Sequence, residues 1–255
     1  MERMAAAMGT ELTLYTFANS HYCEKARWAL DRAGLSYREV AWAPGPHILF
    51  ARRLAPQTTV PILRTREGCI QGSGAILDSI ERTRRSIWPA PADRAGREIE
   101  AHADAVTCVA VRRFTYTILL AHAPGQMAQD LFRPVAAWQK PLAYLMWPLT
   151  RRAIRRGFRA SARDLADARD ALERELAALD ERLADGRRFL LDEGFARVDL
   201  ALASLLAPLA RPAEHPVYPR FTPVAAFRDA IAPWAARPSL RWVRALYRDF
   251  RAPQV

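Results

Sequence analysis

The sequence predicts a mixed α/β unit of order β-α-β-α-β-β-α followed by an all-helical second half. Three observations carry this. Over residues 11–85 short strand-like runs alternate with helical ones; a proline-bearing stretch, Ser86–Asp93, comes next; beyond it every apolar pattern has a helical period. A chain of 255 residues can hold two domains, each with its own core. Residues 11–86 are assigned to the first and 94–252 to the second, with an insertion spanning 124–160.

Taken in order, Leu12–Phe17 is the first strand and His21–Ala33 the first helix, capped by Ser20 and stopped at Gly34. Ser36–Trp42 is a second strand. Pro44-Gly45-Pro46 breaks the chain before a short helix, Ile48–Leu54. Pro61–Arg64 and Gly68–Gln71 form a hairpin turning near Arg66-Glu67-Gly68, and Ser73 is the expected N-cap of a helix over Gly74–Arg85. This is the thioredoxin-type arrangement. Ser86–Asp93, with Pro89 and Pro91, reads as a linker.

In the second half Arg97–His122 is one long helical pattern, ended by Pro124-Gly125. Leu131, Val135, Trp138, Leu142, Leu145 and Leu149 recur at helical spacing, yet Pro134, Pro141 and Pro148 interrupt them every seven residues. Each proline removes an N–H and clashes with the preceding turn, so a kinked helix or successive short helices is expected. Ser161–Ala184 is amphipathic, Val198–Leu209 strongly apolar and central, Pro212 to Pro223 a rigid loop, and Ser239–Arg251 the final helix.

The formal net charge is +11, and only Lys25 and Lys140 are lysines, so the excess is arginine. It reflects either a GC-rich coding composition or a basic surface. No nucleic-acid-binding motif accompanies it, so nucleic acid is not an expected partner. Cys23, Cys69 and Cys108 are too widely spaced for a zinc-type pair or a disulfide framework, which suits a reducing cytosol. Met1–Gly9 lacks an apolar signal core, and no run reaches the ~18 apolar residues of a membrane span. A cytoplasmic location is expected.

The chemistry concentrates at Ser20-His21-Tyr22-Cys23, where a strand turns into a helix. Backbone N–H groups and the dipole at such a terminus stabilise an anion, a thiolate included. Ser20 is either a plain cap or a donor to a bound sulfur. Cys23 is either a reactive thiol or an inert one packed behind the turn. Tyr15 could reach the same place or sit in the core.

Four motifs stand in order: the Ser20–Cys23 turn, Val60-Pro61, Ser73-Gly74-Ala75-Ile76, and Phe195-Ala196-Arg197-Val198-Asp199. Together they resemble the cytosolic glutathione transferase superfamily, bacterial type with a serine/cysteine turn, over most of residues 11–250. The resemblance implies a thioredoxin-like N-terminal domain plus an all-α C-terminal domain, with glutathione as co-substrate and no metal. It also implies a hydrophobic small-molecule electrophile and a homodimer. By position, Ser20 would meet the glutathione thiol and Pro61 would be cis. The Val60 backbone would pair with the cysteine part of glutathione, and Ser73 would hold the γ-glutamyl carboxylate. His21 and Tyr22 would border the ligand. Cys23 matches the second, resolving position of a Cys-x-x-Cys pair, and Ser20 the nucleophile's.

Two positions depart from that pattern. Gly72 stands where the family usually has Glu, Asp or Gln to meet the ligand's α-amino group, and Gln71 is one residue early. A one-residue slip on a strand reverses the face a side chain points to. Ala196 replaces the usual capping Ser or Thr, leaving Asp199 as the surviving half of the box.

The insertion resembles that of the membrane-associated prostaglandin E synthase type 2 branch. Arg151, Arg152, Arg155, Arg156 and Arg159 follow its apolar stripe, so peripheral membrane contact through 131–159 stands beside a cap or dimer surface with solvated arginines. Two alternatives to transferase chemistry also stand: a non-catalytic ligand-binding or membrane-associated scaffold, and a Cys23-dependent thiol-disulfide oxidoreductase.

Overall fold

The computed structural model describes residues 12–84, 87–88, 94–191 and 194–251. Met1–Gly9, most of the predicted linker Ser86–Asp93, and the domain limits at 11, 86 and 252 lie outside the described residues. The chain sorts into two compact units, one running to Ile87 and including Ala128–Thr150, the other comprising Trp88–Met127 and the chain from Arg151 onward.

The first unit is built on a four-stranded sheet of order β2-β1-β3-β4, from β1 (Thr13–Thr16), β2 (Arg38–Ala41), β3 (Ile62–Arg64) and β4 (Cys69–Gln71). β1 runs parallel to β2 and antiparallel to β3, with Tyr15 opposite Ile62, and Ile62 in turn faces Gln71 on β4. All four β1 residues are buried, as expected of a central strand covered on both faces. Helices α1 (His21–Arg32) and α3 (Ser73–Thr83) pack together, burying Ala26, Trp28, Leu30, Ile76, Leu77 and Ile80. A second cluster gathers Tyr15, Trp42, Ala51 and Ile62 with α2 (His47–Leu54). Tyr15 stacks on Trp42 with ring centroids 4.6 Å apart.

Gly34 adopts φ +62° and ends α1, and the antiparallel β3–β4 pair closes through Thr65 N–H donating to the Gly68 carbonyl. One boundary differs from expectation. Ser73 is the first residue of α3 and not its cap; the cap position is Gly72, at φ +93°. A backbone with positive φ suits glycine and disfavours serine, so the break moves one residue earlier.

The insertion forms successive helices: α6 (Pro124–Phe132), a 3-10 turn at Ala137–Gln139, and α7 (Lys140–Gly157). Pro134 falls between elements and Pro141 in the first turn of α7, where an N–H is not needed; Pro148 is carried inside the helix. Within the first unit Phe132 takes the rings of Tyr144 and Trp147 edge-on, and Phe50 of α2 meets Trp138 at 5.8 Å. Gly45, at φ +100°, lies where a Cβ would collide with the Thr150 hydroxyl.

The second unit is helical. The long pattern predicted over Arg97–His122 is α4 (Arg94–His102), a π turn at Ala103–Thr107, and α5 (Cys108–His122). Helix α8 (Ala162–Arg182) packs on α5, with Ser161 capping it by accepting from Asp164 N–H. Every residue of α9 (Arg197–Ala210) is buried. The surviving half of its capping box is formed: Asp199 accepts from Ala196 N–H and Leu190 N–H, both at 2.8 Å. Arg197 is paired with the buried Glu100 at 2.7 Å. A short helix, α10 (Ala225–Ile231), has no counterpart among the predicted elements, and α11 (Pro238–Phe250) closes the chain.

Candidate functional site

Three pieces of the first unit position the predicted site residues: the β1–α1 turn, the loop leading into β3, and the β4–α3 junction. At the first, the Ser20 backbone is extended and its Oγ accepts from Cys23 N–H at 3.4 Å. A hydroxyl that accepts one bond still has its own hydrogen to donate. Ser20 is partly exposed, and its hydroxyl hydrogen can turn between the Cys23 sulfur and a ligand.

Arg27 braces the turn from below. Its Nε and Nη2 donate to Glu39 Oε1 at 2.9 and 2.6 Å, and Nη2 also reaches the Phe17 and Ala18 carbonyls, each at 3.4 Å. Thr16 donates to the same carboxylate oxygen at 2.5 Å. Burial opposes the charge on Arg27, but the Glu39 carboxylate outweighs it and holds the guanidinium firmly protonated.

Cys23 is fully buried under this turn. Burial pushes its thiol up to about 11, against the opposing pull of Arg27 and the Ser20 hydrogen bond. The thiolate is therefore a minor species at neutral pH. Tyr15 is held in the apolar core by its stack on Trp42. His21 is buried and meets the Tyr22 ring edge-on at 5.2 Å.

At the second piece the Val60–Pro61 peptide is cis. The preceding loop is held by two side chains. Gln71 Nε2 donates to the Gln57 and Thr59 carbonyls, both at 2.8 Å, and its Oε1 accepts from Gln57 N–H at 3.1 Å. Both amide hydrogens are thus committed to the loop, and Gln71 acts on the site through that backbone. The other is His47, which no motif pointed to. Its Nδ1 accepts from Gly45 N–H at 3.0 Å and its Nε2 pairs with the Thr58 carbonyl at 2.9 Å, while Phe17 packs against the ring at 4.7 Å. Burial lowers its pKa to about 4, so it is the neutral Nε2–H tautomer at physiological pH. Its position directly after Pro44-Gly45-Pro46 was the one available signal.

At the third, Gly72 N–H donates to the Pro61 carbonyl at 2.9 Å, fastening α3 to the cis-proline loop. Gly72 offers no side-chain cap, and the buried Ser73 is the first residue of α3. The fold thus collects Ser20, Val60, Pro61, Gly72 and Ser73 on turns tied to one sheet. Cys23 and Tyr15 lie in its interior. Among the described residues no group of three or more His, Cys, Asp or Glu side chains could hold a metal ion, and no helix is long and apolar enough to cross a membrane.

Comparison with known proteins agrees with this layout. A family model described as "Glutathione S-transferase, N-terminal domain" matches residues 14–86, and one described as "Glutathione S-transferase, C-terminal domain" matches 140–233. No curated protein matches the chain. Among solved structures, glutathione transferase GSTFuA3 from Phanerochaete chrysosporium aligns with a TM-score of 0.63 at 15% identity, covering 96% of this chain and 99% of that one. The beta-etherase LigF from Sphingobium sp. strain SYK-6 aligns with a TM-score of 0.59 at 20% identity, over 92% and 98%. A glutathione S-transferase from Methylobacterium radiotolerans, in complex with glutathione sulfonate, aligns with a TM-score of 0.54 at 20% identity, over 96% and 97%. At these identities the likeness is one of fold.

Proposed function

Because this chain belongs to the glutathione S-transferase superfamily, we propose that it is a glutathione transferase of the serine type, joining the glutathione thiolate to a hydrophobic electrophile. The observation that carries this reading is Ser20: a partly exposed hydroxyl at a helix N-terminus, able to turn its hydrogen from the Cys23 sulfur to a ligand, in the same unit as the cis-proline loop that Gly72 fastens to α3.

A free cysteine-type thiol has a pKa of about 8.5, so little of it is thiolate at neutral pH. A hydrogen bond from Ser20 and the dipole of α1 both favour the anion. The γ-glutamyl carboxylate would sit at the N-terminus of α3 beside Ser73, and the Val60 backbone would pair with the cysteine part of glutathione. The thiolate sulfur then forms a bond to an electrophilic carbon. Its proton goes to solvent, and in a substitution the leaving group departs with the bonding pair. Proximity and stabilisation of the anion would supply the rate. The burial of Cys23 and its raised pKa support Ser20 over Cys23 as the group that meets the ligand sulfur. Homodimerisation, which the resemblance implies, and a cytoplasmic location, which the cysteine usage suits, are part of the same proposal.

The test is a tryptophan-fluorescence titration with glutathione and a turnover assay on a generic aryl halide, comparing wild type with Ser20→Ala and Cys23→Ala. Saturable binding and loss of turnover in Ser20→Ala, with Cys23→Ala active, are expected. No saturable binding up to about 10 mM glutathione, or loss of turnover in Cys23→Ala alone, would overturn the proposal.

A further inference from the structure

Helix α7 has two opposite faces with different fates. Ala143 and Thr150 are buried on one, the side from which Trp147 reaches the Phe132 ring. On the other, the stripe begun by Trp138 (68% exposed) continues through Leu142 (44%), Leu145 (77%) and Leu149 (69%). These recur at spacings of four and three, and the same face runs on through Arg152 and Arg156, both exposed. Monomeric proteins rarely present so many large apolar side chains in one line. The contact of Phe50 with Trp138 brings α2, with its exposed Leu49, up to the start of the stripe.

The charge around this stripe has one sign. Between Asp130 and Asp164 there is no acidic residue; Arg133 and Arg159 pair with those two aspartates, each at 3.6 Å, and Lys140, Arg151, Arg152, Arg155, Arg156 and Arg163 lie there besides. A second copy docked on the same face would bring two such segments together, and their like charges would repel. A negatively charged, apolar-backed surface fits both halves of the stripe. The helix, 18 residues long and interrupted by Arg151, Arg152, Arg155 and Arg156, suits lying in an interface and not spanning it.

We propose that the exposed face of α7 docks on anionic lipid bilayers, with Trp138, Leu142, Leu145 and Leu149 entering the headgroup–acyl boundary and Arg152 and Arg156 meeting lipid phosphates. Indole and long arginine side chains suit this depth, an apolar body below and a polar tip in the headgroups. This proposal does not depend on glutathione turnover.

The test is co-sedimentation of the full chain with phosphatidylcholine vesicles, with and without about one third phosphatidylglycerol, at low and at high salt. Binding to the anionic vesicles, weakened by salt, is expected, with a blue shift of tryptophan emission. Arg152→Gln/Arg156→Gln should weaken binding about 30-fold, since each basic residue near an anionic surface contributes about 1 kcal/mol. Leu145→Ser/Leu149→Ser, changing exposed residues only, should abolish the blue shift while leaving thermal unfolding unchanged. Absence of pelleting at low salt, equal binding to neutral vesicles, or binding indifferent to both double variants would overturn the proposal. So would a wild-type dimer in light scattering that Leu145→Ser/Leu149→Ser turns into a monomer, because that would assign the face to a second copy of the chain.

Discussion

Gln71 Nε2 donates to the Thr59 carbonyl at 2.8 Å, which ties the end of β4 to the loop that enters cis-Pro61. With the matching bond to Gln57 O and the return bond from Gln57 N–H, one side chain holds three backbone groups. Gln71→Ala should therefore free the loop that presents the Val60 backbone. Each exposed bond is worth about 1 kcal/mol, and part of this is recovered by water, so the fold should lose only about 1–2 kcal/mol. The expected signature is a several-fold rise in KM for glutathione with kcat nearly unchanged. A fall in kcat at constant KM would rule out the positioning role.

Cys23 is buried and its thiol pushed up to about 11, whereas Cys69 is partly exposed and Cys108 buried. In the native protein at pH 8, a disulfide reagent should modify Cys69 and leave Cys23 and Cys108 unreacted until denaturant is added. Mass mapping of the labelled peptides checks this. Rapid native labelling of Cys23 would favour the thiol-disulfide reading over the serine one.

Arg27 is buried and carries both the Glu39 carboxylate and the Phe17 and Ala18 carbonyls of the active turn. Removing one partner of such a pair leaves the other's charge unmatched. Arg27→Met should cost about 3 kcal/mol in chemical denaturation, and Glu39→Gln less, because Arg27 then still has the buried Glu24 carboxylate at 3.6 Å. Equal losses in the two variants would mean that packing of the arginine, and not the ion pair, carries the effect.

How much of this was legible in the sequence follows from the range of each interaction. The Ser20 cap, the Gly34 stop and the hairpin at Gly68 are local, set by residues within one turn of each other, and they appear where the pattern put them. The amphipathic helix α8 was equally plain. Gln71 and His47 were not, because their work is done on loop backbone 11 to 14 residues away, and no spacing rule encodes that. Tyr15 could not be separated into core or site until the position of Trp42 was known. Ser73 was misplaced by one residue because its cap is set by the φ of Gly72 and not by a side-chain oxygen.

His47 accepts from Gly45 N–H through Nδ1 and uses Nε2 toward the Thr58 carbonyl, so a second proton on the ring would point one donor at another. Its folded pKa, about 4, lies below the ordinary 6.5. Between those values the unfolded chain binds a proton that the folded chain does not, so stability present above pH 6.5 is lost as pH falls toward 4. The loss from this group is bounded at about 3 kcal/mol. His47→Gln, which keeps a donor for Thr58, should flatten that part of the stability curve. Denaturation midpoints measured from pH 7 to 4 that fall in parallel for both proteins would refute it.

Gly72 combines φ +93° with open space: a Cβ built there meets no heavy atom within 4 Å. A side chain can therefore start there without a clash at Cβ, at the cost of a backbone conformation that is worth about 1–3 kcal/mol of strain for any residue but glycine. Gly72→Glu should lower the thermal midpoint and, if glutathione lies along α3 as proposed, bind its α-amino group more tightly. Gly72→Ala supplies the control, since it carries the same strain without the charge. The expected pattern is equal destabilisation in both variants, with several-fold tighter glutathione binding in Gly72→Glu alone. Weaker binding in both would show that strain at this junction disturbs the N-terminus of α3 more than a carboxylate can repair, and would move the amino-group contact to another part of the site.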